Sequence, residues 1–173
     1  GATPVQMAAA YAVIGNGGVY MQPHFVRKIL DANGTEIYSF KPLHKRVMSE
    51  ETAWLMGNML QTVVNSGTGT NAKVPGVVTA GKTGTSEEYK DSWFCGFTPG
   101  YYVAVWMGYD QEYHMTNVYG GGYPAGIFRL MLQKAHKKHN PPLGPVPKNI
   151  MRSSVCSKSG KLPSAICPEN SII

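Results

Sequence analysis

Short connections between three strand-like segments constrain this chain more than any other sequence feature. The segments are residues 77–80, which lead into Gly81-Lys82-Thr83-Gly84-Thr85, then 92–97 and 101–109. A polar turn at 86–90 and the turn Thr98-Pro99-Gly100 connect them. Parallel neighbours would need a crossover of a dozen or more residues, so connections this short require antiparallel pairing. The sequence therefore predicts three adjacent antiparallel strands.

Three helices are predicted around these strands. Thr3 is the expected N-cap of the first, with Pro4 at its first position, and Gly15-Asn16-Gly17-Gly18 ends it. Ser49 caps the second, whose first turn carries Glu50 and Glu51. Its expected apolar face consists of Trp54, Leu55, Met59, Leu60 and Val63. The third covers about 125–136, and we expect the first and last helices to pack on one face of the sheet.

A separate hairpin is predicted between the first two helices. Segments 25–30 and 35–40 have strand character, and Asn33-Gly34 between them is a typical hairpin turn. The pattern as a whole indicates an α+β fold, an antiparallel sheet with flanking helices. We expect residues 1–139 to form the folded part, and the Pro- and Gly-rich segment 140–173 to be a linker and an irregular C-terminal tail.

Composition narrows the class of protein. With 173 residues and 43% hydrophobic content the chain can bury a substantial core. The net charge of +6 is spread along the sequence and accompanies no nucleic-acid recognition motif, so we expect no nucleic-acid partner. No apolar run reaches 18 residues, so no segment of this sequence is expected to cross a membrane.

The three cysteines have different expected roles. Cys95 lies within a strand segment and is expected to pack as a small apolar residue. Cys156 and Cys167 flank a short polar segment without nearby histidines, which is a poor zinc site. A disulfide between them, typical of an oxidising compartment, is the favoured interpretation, and two free thiols are the alternative.

The segment 81–85 has the residue types that bind an anionic ligand. A carboxylate is recognised by a fixed cation, hydroxyl donors and free backbone N–H groups. Alternation along a strand directs Thr83 and Thr85 to one face, and Lys82 and Gly84 to the other. Gly84 removes a side chain where a ligand or a neighbouring segment approaches closely. On these residues alone, an ordinary exposed hairpin end remains an equal alternative.

Two other kinds of site are poorly supported by the sequence. Residues 76–83 satisfy the phosphate-loop pattern G-x-x-x-x-G-K-[ST], but this mechanism needs a helix to begin at the lysine, and Thr83-Gly84-Thr85-Ser86 is poor helix material. The five histidines contain no helical i, i+4 pair, and no Gly-x-Ser-x-Gly nucleophile elbow occurs. We therefore expect no metal site and no cofactor.

The chain resembles the C-terminal part of the transpeptidase domain of class A, bifunctional penicillin-binding proteins. The resemblance covers most of residues 1 to about 136. It rests on segments 3–11, 15–18, the Lys-Thr-Gly motif at Lys82, the tryptophan strand that follows it, 105–110 and Gly120-Gly121-Gly122. The resemblance implies the fold shared by these transpeptidases and serine β-lactamases, and a peptidoglycan D,D-transpeptidase activity that β-lactams inhibit by acylating a serine.

One departure from that family affects the expected activity. The family nucleophile lies in a Ser-x-x-Lys motif supported by Ser-x-Asn. No serine of this chain has Lys three residues later or Asn two residues later; Ser86 and Ser157 have lysines four residues later. In the family both motifs precede the matched region, so we expect this chain to be a fragment that is inactive alone.

The resemblance assigns roles to four residues. Lys82 is the catalytic residue that provides positive charge beside the serine and the substrate carboxylate. Thr83 and Thr85 bind that carboxylate, and the backbone N–H of Thr85 contributes to the oxyanion hole. Gly84 keeps the strand accessible to substrate.

The implied partners are the N-terminal remainder of the same domain, peptidoglycan stem peptides and β-lactams. The implied location is the extracytoplasmic face of the bacterial membrane, with contact to the membrane only through an N-terminal anchor absent from this chain. A non-catalytic module that binds peptidoglycan or peptide is the alternative function.

Overall fold

The computed structural model describes residues 1–111, 113–156, 160–163 and 170–172. The described elements are α1 (Pro4–Gly15), β1 (Val19–Met21), β2 (Lys28–Leu30), β3 (Glu36–Ser39), β4 (His44–Arg46), α2 (Glu50–Ser66), β5 (Ala80–Thr85), β6 (Asp91–Thr98), β7 (Tyr101–Gly108), α3 (Tyr123–Lys138), β8 (Ser154–Cys156) and β9 (Asn170–Ile172). Short 3₁₀ turns occur at Thr70–Ala72 and Glu87–Tyr89. The α+β class predicted from the sequence is confirmed.

The central sheet has the order β5-β6-β7 with both pairs antiparallel, as predicted. Its first strand, however, begins at Ala80 and not at Val77. The preceding residues form a turn, because the Val77 N–H donates to the Val74 carbonyl and the Val74 N–H donates to the Thr79 hydroxyl. The Lys82-Thr83-Gly84 motif is therefore the body of the strand.

The two faces of the sheet are covered by different helices. On one face Phe94 packs edge-on against Phe128 of α3, with ring centroids 4.8 Å apart. This contact belongs to a buried core that also includes Val64, Val74, Ala125 and Leu132. On the other face α1 approaches Phe97 and Tyr102, since a Cβ added to Gly15 would lie 2.6 Å from the Tyr102 ring. The expectation that the first and last helices share one face is wrong.

The physical reason is the alternation of the sheet residues. Phe94 and Phe97 are separated by an odd number of positions in β6, so they point to opposite faces. Both are large and apolar, and each face therefore requires its own cover. A glycine at position 15 allows the end of α1 to lie directly on its face.

Helix α1 has the predicted ends. The Thr3 hydroxyl accepts from the Gln6 N–H, and the Gln6 side chain accepts from the Thr3 N–H, which completes a capping box. Pro4 occupies the first helical position, and Asn16 is the C-cap.

Helix α2 begins after its predicted cap, Ser49, but only part of its expected apolar face is buried: Leu60 is buried as expected, and Trp54 and Val63 are half-buried. Leu55 and Met59 are 49% and 57% exposed. The buried residues are Ala53, Gly57, Leu60 and Val64. Small residues at Ala53 and Gly57 allow the helix backbone to approach its neighbours closely, so burial follows residue size as well as hydrophobicity.

The remaining strands form isolated pairs. The predicted hairpin is confirmed as β2–β3, in which the Asp31 carboxylate accepts from the N–H groups of Asn33 and Thr35. The pairing of β1 with β4 was not anticipated. Within the segment expected to be irregular, β8 pairs with β9. The expected partner of Cys156, Cys167, lies outside the described residues, so that disulfide stays a prediction, as does the domain division at residue 139. In the part of the chain that the structure describes, no helix has the length and apolarity needed to cross a membrane.

Candidate substrate-binding site

Strand β5 is an edge strand of the central sheet and displays the sequence-predicted site residues. Among the described residues it pairs only with β6, in a register that sets Lys82 opposite Cys95 and Gly84 opposite Trp93. Ala80 and Gly81 at the start of the strand are buried, whereas Lys82 and Thr85 are exposed. The strand therefore emerges from the core within the motif itself.

Lys82 lies on the α1 face beside a small cavity. The cavity measures about 260 Å³. It is lined by Ala2, Met7, Tyr11, Lys82, Thr83, Gly84, Trp93 and Cys95. The Lys82 ammonium donates to the Thr83 carbonyl at 3.1 Å and to the Thr83 hydroxyl at 3.3 Å. These bonds hold the cation beside the first hydroxyl of the motif.

The floor of this cavity is neutral at physiological pH. Burial raises the pKa of the Cys95 thiol to about 11. Burial, with a smaller contribution from Cys95, also raises the pKa of Tyr11. Both groups therefore keep their protons near pH 7, and Lys82 is the charged residue among those that line the cavity. The expectation that Cys95 packs as a small buried residue is confirmed.

Thr83 and Thr85 face the α3 side, as alternation along the strand requires. Their hydroxyls are partnered by two loops. The Thr83 hydroxyl lies 2.9 Å from the Thr68 hydroxyl, in the loop that follows α2. The Thr85 hydroxyl accepts from the Gly120 N–H at 3.1 Å. Thr83 is half-buried and Thr85 is exposed, so neither hydroxyl lies in the apolar core.

Glycines allow close approach around the middle of the strand. A Cβ on Gly84 would lie 3.3 Å from the Trp93 Cβ. Gly120 is closer still, because a Cβ there would lie 2.3 Å from the Trp93 carbonyl and 2.6 Å from that of Gly84. Gly120 thus allows its loop to lie directly against the backbone of β5 and β6, which brings its N–H to Thr85.

The geometry of β5 differs from that of a phosphate loop. Lys82 lies in the middle of a strand and no helix begins at it, so the nucleotide interpretation is wrong. In the described part of the chain, no group of three or more histidine, cysteine or acidic side chains could hold a metal ion. A cation, two hydroxyls and an exposed strand edge can bind a carboxylate and an extended peptide.

Sequence reasoning assigned no role at the site to Thr68, Asn71 or Gly120, although Gly120 belongs to one of the segments that resemble the family. No spacing relates these residues to the lysine motif. The Asn71 amide donates to the Gly122 carbonyl at 2.9 Å, which joins the two loops to each other. Contacts between residues so distant in sequence become visible only in the folded chain.

Comparison with known proteins identifies the family of the chain. Residues 1–133 match the family described as the penicillin binding protein transpeptidase domain. The chain belongs to this family. Penicillin-binding protein 1A of Clostridium tetani is 37% identical over 179 residues, which cover 99% of this chain and 22% of the relative. The resemblance to class A penicillin-binding proteins is thereby confirmed.

Two solved structures of the family are similar to the chain. The crystal structure of penicillin-binding protein 1A from Haemophilus influenzae has a TM-score of 0.82 at 21% identity, and the match covers 99% of this chain and 32% of that one. The D,D-transpeptidase domain of a peptidoglycan glycosyltransferase from Eggerthella lenta has a TM-score of 0.65 at 33% identity. This match covers 78% of this chain and 32% of that one. The chain spans about a fifth of the length of curated relatives such as the Clostridium tetani protein.

Proposed function

We propose that this chain contributes the substrate-binding strand of a peptidoglycan D,D-transpeptidase whose nucleophilic serine lies in another segment of the parent protein. The observation that supports this most is the placement of Lys82, Thr83 and Thr85 on one edge strand, where Lys82 and Thr85 are exposed and Thr83 is half-buried. Membership of the transpeptidase family supports the same reaction. The absence of a Ser-x-x-Lys sequence from the chain is the reason to assign the nucleophile elsewhere.

In the proposed reaction the serine oxygen attacks the carbonyl carbon between two D-alanines of a stem peptide. The tetrahedral oxyanion collapses, the C–N bond breaks, and D-alanine leaves with a proton on its nitrogen. An amine of a second stem then attacks the acyl-enzyme, and the serine regains its proton. A β-lactam undergoes only the acylation half of this reaction. Its amide C–N bond breaks in the same way, but the nitrogen stays linked to the acyl group through the other ring carbons and does not leave.

The β5 residues have complementary roles in this scheme. The Lys82 ammonium provides positive charge beside the serine and the substrate carboxylate, while the hydroxyls of Thr83 and Thr85 donate to that carboxylate. The backbone N–H of Thr85 stabilises the oxyanion. Gly84 leaves the strand edge accessible to an extended peptide.

Partners and location follow from the same proposal. The chain folds against the remainder of its transpeptidase domain, binds stem peptides and is a target of β-lactams. The reaction takes place on the extracytoplasmic face of the bacterial membrane, where peptidoglycan is cross-linked, and an anchor outside this chain provides the attachment.

Covalent labelling with a fluorescent penicillin tests the proposal. In the parent protein we expect one serine outside residues 1–173 to be acylated, and purified residues 1–173 to remain unlabelled by intact-mass measurement. Lys82→Ala in the parent protein is expected to slow acylation about 10²–10³-fold, comparable to the loss of one contact with a developing oxyanion. The unfolding temperature should change little, because Lys82 is exposed.

Lys134→Ala is the matched control, since this exposed lysine of α3 is not among the residues of the strand or its cavity. It should leave the acylation rate unchanged. Labelling of the isolated chain would show that the nucleophile has been misplaced. An unchanged rate in the Lys82 variant would exclude its proposed role, and absence of labelling in the parent protein would favour the non-catalytic binding module.

A further inference from the structure

The loop after α2 is built to hold one hydroxyl beside β5. The N–H groups of Gly67 and Gly69 both donate to the Val63 carbonyl at 3.0 Å, so the chain folds back on the last turn of the helix. Thr68 lies between these two anchors. Its hydroxyl is 2.9 Å from the Thr83 hydroxyl, and either oxygen can be the donor.

The loop at 119–122 packs against the first loop and places a hydrogen-bond donor beside Thr85. A Cβ on Gly121 would lie 2.4 Å from the Thr68 carbonyl, so the two backbones are in close contact. The bond from Asn71 to the Gly122 carbonyl connects them again. One paired unit therefore presents a hydroxyl to Thr83 and the Gly120 N–H to Thr85.

The direction of these hydrogen bonds matters for a carboxylate ligand. A threonine hydroxyl has one proton to donate and two lone pairs that accept, whereas an ionised carboxylate only accepts. The Gly120 N–H can only donate, so it occupies a lone pair of Thr85 and leaves the Thr85 proton available. On Thr83 the Lys82 ammonium donates to one lone pair at 3.3 Å.

We propose that Thr68 is a positioning residue for the substrate carboxylate. When its hydroxyl donates to Thr83, both lone pairs of Thr83 are occupied, and the Thr83 proton is directed outward to the carboxylate. Thr68 thereby does for Thr83 what the Gly120 N–H does for Thr85. This inference rests on the proposed transpeptidase function. Thr68 acts on the carboxylate only through Thr83.

The test compares two acylating probes on the parent protein, a penicillin with a free carboxylate and its methyl ester. Thr68→Val removes the hydroxyl at nearly constant volume. We expect the second-order acylation rate constant to fall about tenfold with the free acid, as for the loss of one hydrogen bond in a charge-assisted network. With the ester the change should stay within about twofold, because a carboxylate is no longer bound.

Three further variants make the result specific. Thr68→Ser retains the hydroxyl and should restore the free-acid rate. Thr62→Val removes an exposed hydroxyl of α2 that donates to the Asn58 carbonyl within the same helix, and should change neither rate. In a Thr83→Val background, Thr68→Val should have no further effect, since its partner is gone.

The outcomes separate the inference from the function on which it rests. Equal loss with both probes, no loss with the free acid, or failure of Thr68→Ser to restore the rate would overturn the positioning role while leaving the transpeptidase proposal intact. If the unaltered parent protein is acylated by neither probe, the proposed function fails and the inference fails with it.

Discussion

The central sheet and the hairpin ribbon formed by β2 and β3 are both antiparallel assemblies closed by short turns, yet only the central sheet contains buried residues. Every residue of β2 and β3 is exposed, and Ile37 in β3 retains 66% of its accessible surface. In β6, Phe94 retains none. Both assemblies are held by antiparallel pairing, although the register of the ribbon shifts between Ile29 and Leu30. The difference in burial lies in the helices that cover the central sheet. Hydrogen-bonded pairing alone buries little apolar surface, and a two-stranded ribbon gains little stability from it.

Truncating one large apolar side chain in each region gives the largest expected contrast. Phe94→Ala should destabilise the protein by about 3–5 kcal/mol, because it removes a ring packed against Phe128 and leaves a cavity. Ile37→Ala in the ribbon should change stability by no more than about 0.5 kcal/mol. Urea unfolding followed by tryptophan fluorescence measures both. Similar losses in the two variants would show that the ribbon is covered in solution.

A glycine-to-alanine pair sharpens the same comparison by adding a methyl group. A Cβ on Gly96 would lie 2.3 Å from the Ala80 carbonyl, which is backbone and cannot turn away, so Gly96→Ala should cost about 3 kcal/mol. Gly34 in the ribbon turn meets nothing within 4 Å, but its φ is +83°. Gly34→Ala should therefore cost about 1 kcal/mol from backbone strain alone. Thermal unfolding that ranks Gly34→Ala as the worse variant would contradict the packing argument.

Alkaline pH should weaken the central sheet through Cys95. Burial raises the pKa of its thiol from 9.0 to about 11 in the folded protein. The neutral thiol is thus favoured by folding, so its contribution is complete below about pH 9 and is lost as pH rises through about 11. The slope between these values is at most about 1.4 kcal/mol per pH unit.

Cys95→Ala tests this assignment. Between about pH 8 and about pH 11 the unfolding temperature of the variant should decrease less than that of the unaltered chain. At about pH 8 the variant should already have the lower unfolding temperature, because a buried sulfur atom is missing. Burial also raises the pKa of Tyr11 and Tyr102, so some alkaline loss should remain in the variant. Identical pH profiles would indicate that the thiol does not contribute.

The elements that were predicted correctly carry local chemical signals. Thr3 and Pro4 begin α1, Ser49 begins α2, and Asn33-Gly34 closes the ribbon, because capping and turn formation involve residues only a few positions apart. The predicted start of the first strand at Val77 was wrong. The Thr79 hydroxyl accepts from the Val74 N–H, and this bond keeps the apolar residues before Ala80 out of the strand.

For the candidate site, the sequence alone was sufficient to place Lys82, Thr83, Gly84 and Thr85 on one strand, because these residues are contiguous and alternation along a strand assigns their faces. Their catalytic and binding roles remain predictions. The antiparallel order of the sheet could also be deduced from the sequence, because short turns connect strands that follow one another in the chain.

Only the tertiary structure determined which groups surround that strand. Packing placed α1 and α3 on opposite faces of the sheet, and it brought Thr68 and the Gly120 N–H to hydroxyls of residues 15 and 35 positions away. Local sequence encodes helix ends, turns and strand faces through near-neighbour hydrogen bonds and sterics. The contacts that complete the site depend instead on the close fit of glycine-lined backbones, for which no periodic pattern exists in the sequence.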